Sequence, residues 1–128
     1  MKIAALILSL ALAVPALAPV ARAQDDGQDF ASSGTGAEIR ALDKVNGRTV
    51  DIEVPTGRAA RVFGLVVEMA ECRYPADNPT GDAYAFLVVR EDNSRDALFA
   101  GWMIASSPAL NALDHSRYDV WVLRCMTS

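Results

Sequence analysis

The chain contains one histidine, His115, and the residues around it are the first to weigh for chemistry. Asp114 precedes it and Ser106, Ser107 and Ser116 lie close by, so a Ser-His-Asp hydrolase can be assembled from residue types alone. The surroundings point elsewhere. No Gly-x-Ser-x-Gly elbow frames Ser106 or Ser107. The order Ser-Ser-Pro reads as the cap of a short helix, with Asp114 and His115 in the turn behind it. One His and two Cys make a poor ligand set for zinc. Asp77, Asn78 and Asp82 share a loop without the spacing of a calcium site. Glu68 and Glu71, three apart in a strand, read as facing opposite ways, which is wrong for a carboxyl pair flanking a glycosidic bond. The expectation is therefore no catalytic residue, no cofactor and no metal, with a small periplasmic hydrolase as the alternative.

Cys72 and Cys125 are the only cysteines, and they sit in strand-like runs rather than as Cys-x-x-Cys at a helix start, so a redox-active pair is disfavoured. In an oxidising compartment an even number of thiols pairs, and two allow a single bridge, Cys72 to Cys125. Free buried thiols are the alternative. Closing that loop would stabilise the fold by about 4 kcal/mol on the chain-entropy account.

Four aromatic residues, Tyr84, Trp102, Tyr118 and Trp121, fall in strand-like segments. Such rings pack the core by default; exposed together they would form a stacking surface for sugar or peptide. Within Gly101 to Tyr118 a short helical connection interrupts the strands, and irregular segments mounted on a rigid sheet are where binding surfaces concentrate. Trp102, Leu110, Asn111, His115 and Tyr118 are the predicted border of an interface. The plainer reading has Leu110 and Leu113 plugging one open end of the fold.

The elements that position these residues are mostly β. Asn46-Gly47 separates Ile39 to Val45 from Arg48 to Val54, the strongest short-range hairpin signal, and both turn residues tolerate the positive φ of a type I′ turn. In the second arm Val50, Ile52 and Val54 alternate with Asp51 and Glu53. After the turn at Pro55-Thr56-Gly57 one long strand is predicted from about Arg61 to Arg73. Leu65, Val67 and Met69 would share one face, and Glu68, Ala70 and Cys72 the other. Tyr74 to Asp82 is loop. Tyr84 to Val89 is apolar on both faces and reads as a central strand. Glu91 to Asp96 is a polar turn, with Ala97 to Ala105 as its hairpin partner. Ser106 to Leu113 gives one or two turns of helix. In the last strand, Tyr118 to Cys125, Val120 and Val122 lie opposite Trp121, Leu123 and Cys125. The fold class is mainly β: a small antiparallel sandwich or partly open barrel with one short helix.

At the start, Met1-Lys2, an apolar run from Ile3 to Val14 and the Ala21-Arg22-Ala23 box form a signal peptide with cleavage after Ala23. An uncleaved anchor is the alternative, since Ile3 to Val20 approaches bilayer length, but Pro15 and Pro19 interrupt it. The expected division is a signal peptide at 1–23, a flexible linker at 24–37 rich in Gly, Ser and Asp, and a single β domain at 38–128. Removing Lys2 and Arg22 leaves 10 basic against 16 acidic residues, a net charge of −6. An acidic chain with scattered rather than clustered basic residues disfavours nucleic acid and anionic lipid. The mature product is expected to be periplasmic with no membrane span.

From Ala41 to Cys125 the sequence resembles the alphaproteobacterial envelope family of unknown function numbered twenty-one fifty-five. ALDKVNGRTVDIEVPTG, the single Cys of EMAECRYP and, above all, GWMIASSPALNALDHSRYDVWVLRC carry the resemblance. It implies a secreted, single-domain protein and brings no functional residue to this chain. Family genes beside one for an accessory subunit of respiratory complex I imply a partner among inner-membrane complexes facing the periplasm. The functional expectation is a non-enzymatic interaction or accessory module of the envelope, bound to another envelope protein or membrane complex.

Overall fold

The computed structural model describes residues 30–128, so the expected leader, its cleavage site and the first part of the expected linker lie outside the described residues. Eight strands are present: β1 (Ala31–Ser33), β2 (Gly36–Asp43), β3 (Arg48–Pro55), β4 (Ala59–Val62), β5 (Leu65–Pro75), β6 (Tyr84–Glu91), β7 (Ala97–Ile104) and β8 (Tyr118–Met126). All pairings are antiparallel. A five-stranded sheet runs β1-β5-β6-β7, with β4 also paired to β5, and a three-stranded sheet runs β3-β2-β8. The two sheets pack as a small sandwich, not a closed barrel.

Between them lies an aliphatic core. Ile39, Ala41, Val54, Leu65, Val67, Met69, Leu87, Val89, Val120 and Val122 are buried, as strict alternation along a half-buried strand requires. Contrary to the default for aromatic residues, no tyrosine or tryptophan is fully buried; Tyr84 and Trp102 are exposed and Tyr118 packs at the core margin.

Both cysteines reach the core through an irregularity that the two-residue period conceals. On β5 the register with β6 shifts between Met69 and Glu71. One extra residue turns the rest of the strand over, so Cys72 joins Leu65, Val67 and Met69 on the inner face instead of opposing them. The same shift puts Glu68 and Glu71, opposite Val88 and Phe86, on a common outer face. On β8 a second shift, where Glu38 pairs Arg124 and Ile39 pairs Val122, leaves Leu123 over and brings Cys125 in beside Val120 and Val122. The two Sγ atoms lie 2.01 Å apart, at bonding distance, and link β5 of one sheet to β8 of the other.

Three other expectations change. The long strand predicted from Arg61 to Arg73 is two, β4 and β5, folded on each other at Phe63-Gly64, with Val62 opposite Leu65. Phe63 carries φ +52°, the left-handed region that usually calls for glycine, and its ring stacks on Tyr118 with centroids 5.7 Å apart. The Asn-Gly hairpin is present, but its loop spans Lys44 to Gly47 and only Gly47 has positive φ. Asp43 closes it: its carbonyl accepts from the Gly47 N–H at 2.8 Å and its carboxylate from the Val45 N–H at 3.0 Å. The ordered sheet also begins earlier than Glu38. Ala31 to Ser33 pair with Arg73 to Pro75, and Ala37 is fully buried, so the C-terminal part of the expected 24–37 linker belongs to the fold.

Candidate functional site: the open face of the larger sheet

Alternation in β6 sends Ala85, Leu87 and Val89 into the core and Tyr84, Phe86 and Val88 outward. The run reads as apolar on both sides because it is apolar on both sides. One side meets the smaller sheet and the other meets no further layer among the described residues. Cross-strand pairing extends this outer face: Ile104 stands opposite Tyr84, Trp102 opposite Phe86 and Ala100 opposite Val88. Phe86 and Trp102 meet edge to face, centroids 5.5 Å apart and planes at 83°. Trp102 is 40% exposed and Tyr84 36%. On the β5 side the patch is bordered by Glu68, Glu71 and Arg73, opposite Val88, Phe86 and Tyr84.

The outer face of the smaller sheet is built differently. Arg40 stands opposite Asp51 and binds it through two hydrogen bonds, Nε to Oδ1 at 2.7 Å and Nη2 to Oδ2 at 2.9 Å. Arg124 pairs with Glu38 across the β2–β8 ladder. Hydrogen bonding to Arg40 holds the Asp51 carboxyl below the usual carboxylate range.

Two further carboxylates anchor the loops. Asp43, almost fully buried, receives Arg117 Nη2 at 2.9 Å and Nε at 3.3 Å, tying the β2–β3 turn to the segment before β8. The hydrogen bond from Arg117 is the main reason its pKa is lowered. Burial raises the Asp82 carboxyl, but hydrogen bonds from the Ser106 hydroxyl at 2.6 Å and from the Ser106 and Ala83 N–H groups outweigh it and lower the pKa. Ser106 is thereby spent on Asp82, and Ser107 makes no side-chain cap; the expected helix is only a 3-10 turn at Pro108–Leu110.

Of the five predicted interface residues, the structure joins three. Asn111 Nδ2 donates to the Trp102 carbonyl at 2.9 Å, and Leu110, next in the chain, is 75% exposed. Leu113 is buried, so it alone plugs the fold. His115 and Tyr118 sit at the other end of β6, beside Glu91. His115 Nδ1 accepts the N–H groups of Arg117 and Tyr118, each at 3.0 Å, which leaves its proton on Nε2, 3.0 Å from Glu91 Oε1. Both ring nitrogens are thus engaged, no serine hydroxyl is among their partners, and the His115 side chain is only 11% exposed. Its ring stacks on Tyr118, centroids 5.2 Å apart. This pair organises the chain entering β8.

Sequence reasoning missed Asp43 and Asp82 as anchors, and also Phe86 and Val88 as surface. Asp43 had a signal, an Asp just ahead of an Asn-Gly turn. Asp82 had none, because its partner Ser106 is 24 residues away. Among the described residues no group of three or more His, Cys, Asp or Glu side chains converges as a metal site. No helix there is long and apolar enough to cross a membrane.

The fold is thus a small disulfide-linked β sandwich with one partly aromatic outer sheet face. Residues 37–125 match the family described as "Uncharacterized protein conserved in bacteria (DUF2155)", and the chain belongs to that family. It is similar to an uncharacterized protein of Rickettsia prowazekii (strain Madrid E), 26% identical over 94 residues, covering 71% of this chain and 61% of that protein. The chain thus spans about three-fifths of that relative's length. No solved structure matches.

Proposed function

We propose that this chain is a non-enzymatic interaction module of the cell envelope, exported to the periplasm and docking through the outer face of β5-β6-β7 onto another envelope protein or an inner-membrane complex. The observation that carries the reading is the contrast between this face, where Tyr84, Ala100 and Trp102 are exposed and Phe86 and Val88 are half-buried with no further layer over them among the described residues, and the ion-paired face of the smaller sheet. Aromatic side chains on a rigid sheet give large contact area at low entropic cost, the usual composition of an interface centre. The Cys72–Cys125 bridge supports an oxidising compartment. The leader in the sequence supports export by cleavage after Ala23.

Photocrosslinking in intact cells tests the reading. A photoreactive residue at Val88 or Ala100 should give a discrete adduct with an envelope protein, while one at Thr49 or Glu53 should not. Equal labelling from both faces would refute it. N-terminal sequencing of the periplasmic protein should begin at Gln24.

A further inference from the structure

Both sheets end in strands with one unpaired side, and all but one of these edges are guarded. β3 carries Arg48, Asp51 and Glu53 and ends at Pro55. β8 is buried at Val120 and Val122. β1 and β4 are short, three and four residues. The remaining edge, β7, is eight residues of sequence ALFAGWMI, without the Lys, other charged residues or Pro that ordinarily keep an edge from pairing. Between Asp96 and Asp114 the chain carries no charged side chain at all.

Three hydrogen bonds fix which backbone groups of β7 point away from β6. The Ala105 N–H donates to the Ala83 carbonyl at 2.9 Å, in register with the ladder that pairs Ile104 with Tyr84. Antiparallel pairs alternate between hydrogen-bonded and non-hydrogen-bonded, so Met103, Gly101 and Phe99 bond to β6 while Ile104, Trp102 and Ala100 turn their N–H and C=O groups outward. The carbonyls of Ile104 and Trp102 agree with this phase, since they accept the Ser107 N–H at 3.1 Å and Asn111 Nδ2 at 2.9 Å. Because the Phe99 N–H points to β6, the Leu98 carbonyl of the same trans peptide points away. Two donors, the N–H groups of Ala100 and Trp102, and two acceptors, the carbonyls of Leu98 and Ala100, are thus left without a partner among the described residues. They belong to accessible residues: Ala100 is exposed, Leu98 is 41% exposed and Trp102 40%.

We infer that the β7 edge pairs with the β7 edge of a second copy of this chain, antiparallel about a two-fold axis at Ala100. Ala100 then stands opposite its own copy, each donating to and accepting from the other, and the Trp102 N–H of each copy donates to the Leu98 carbonyl of the other. Every unpartnered group is satisfied, and the carbonyls already capped, those of Trp102 and Ile104, are not required. The side chains fit the same register. Leu98 and Trp102, both large, apolar and exposed, face each other twice, and Ala100 is small enough to face itself on the axis. Charge favours a second copy as the occupant: in a chain of net charge −4, two copies meet with least repulsion along a segment that carries none. The pairing joins two larger sheets into one. It goes beyond the docking face proposed above and does not depend on it.

The exported chain, purified with its disulfide intact, should sediment as a monomer when dilute and as a dimer when concentrated. Amide exchange reads the same edge: the Ala100 and Trp102 N–H groups should exchange fast in dilute protein and be protected in concentrated protein, while the Gly101 N–H, bonded to β6, is protected in both. Ala100→Pro removes only an outward N–H, which an edge strand tolerates, and should give a monomer at every concentration. Leu98→Asp, which keeps every backbone group, should weaken the dimer by about tenfold or more. For the register, Ala100→Cys should form a disulfide-linked dimer on mild oxidation, and Ala97→Cys on the same strand should not. The inference is overturned if the parent stays monomeric up to its solubility limit, if Ala100→Pro and Leu98→Asp both dimerise like the parent, or if the two cysteine variants crosslink equally. Protection of the Ala100 and Trp102 amides that requires added envelope extract would also overturn it, by giving the edge to a different protein.

Discussion

The two outer faces of this sandwich share a core, a disulfide and an antiparallel ladder, yet their side chains are organised for opposite ends. On β3-β2-β8 the outward positions carry charge, and cross-strand pairing satisfies it internally: Arg40 with Asp51, Arg124 with Glu38. On β5-β6-β7 the outward positions carry Tyr84, Phe86, Val88, Ala100, Trp102 and Ile104. A sheet face needs to be apolar only where something covers it, since exposed apolar area is costly in water and invites association. The difference teaches that the inner faces account for folding, and that the apolar character of the larger sheet's outer face, which folding does not require, is what the proposed docking rests on.

The largest expected effect falls on what the faces share. Replacing both cysteines, Cys72→Ala with Cys125→Ala, should remove about 4 kcal/mol and lower Tm by on the order of 20 °C, measured by thermal unfolding. A shift of only a few degrees would show that the bulges at Ala70 and Leu123 hold the sheets without the bridge. Next comes inside against outside on one strand. Leu87→Ala should cost about 3 kcal/mol, whereas Val88→Thr, one residue on, should leave Tm nearly unchanged. Similar losses at both positions would mean the outer face is packed from within, and the contrast between faces would fail.

Acid provides a smaller effect. Asp43 and Asp82 both have pKa values lowered in the folded state from 3.8. A group of that kind contributes stability that is fully present above its unfolded pKa and is lost as pH falls through the folded one. Denaturant midpoints should therefore hold steady above about pH 5 and decline below 3.8. Asp82→Asn should lower the neutral plateau and flatten the acid decline. The smallest effect is expected on the charged face, where Arg40→Ala should move Tm by no more than about two degrees, since exposed ion pairs contribute little.

Much of this fold is legible in the sequence because period-two alternation and turn residues mark each strand. The β2–β3 hairpin follows from Asn46-Gly47, and β6 is central because Tyr84 to Val89 has no polar position. What alternation cannot show is where it breaks. The extra residues at Ala70 and Leu123 are ordinary strand formers whose bulges depend on the partner strand, so the cysteines and Glu71 read as facing the wrong way. Phe63-Gly64 resembles strand interior because it is Phe, not Gly, that takes positive φ. The candidate face is half legible: Trp102 stands out as an aromatic ahead of an irregular connection, and Asn111 follows it. Phe86 and Val88 are indistinguishable from core in the sequence, because an apolar residue on an uncovered sheet face has the same chemistry as one packed between sheets.

The most direct test sets the two faces against each other. Ala100→Lys and Thr49→Lys each place one cation at an exposed strand position, one in the aromatic patch and one on the ion-paired face. Co-purification from detergent-solubilised envelopes should lose the partner with Ala100→Lys and retain it with Thr49→Lys, while both proteins keep the parent Tm within about two degrees. Retention of the partner by Ala100→Lys, or its loss with Thr49→Lys, would contradict the assignment of docking to the larger sheet.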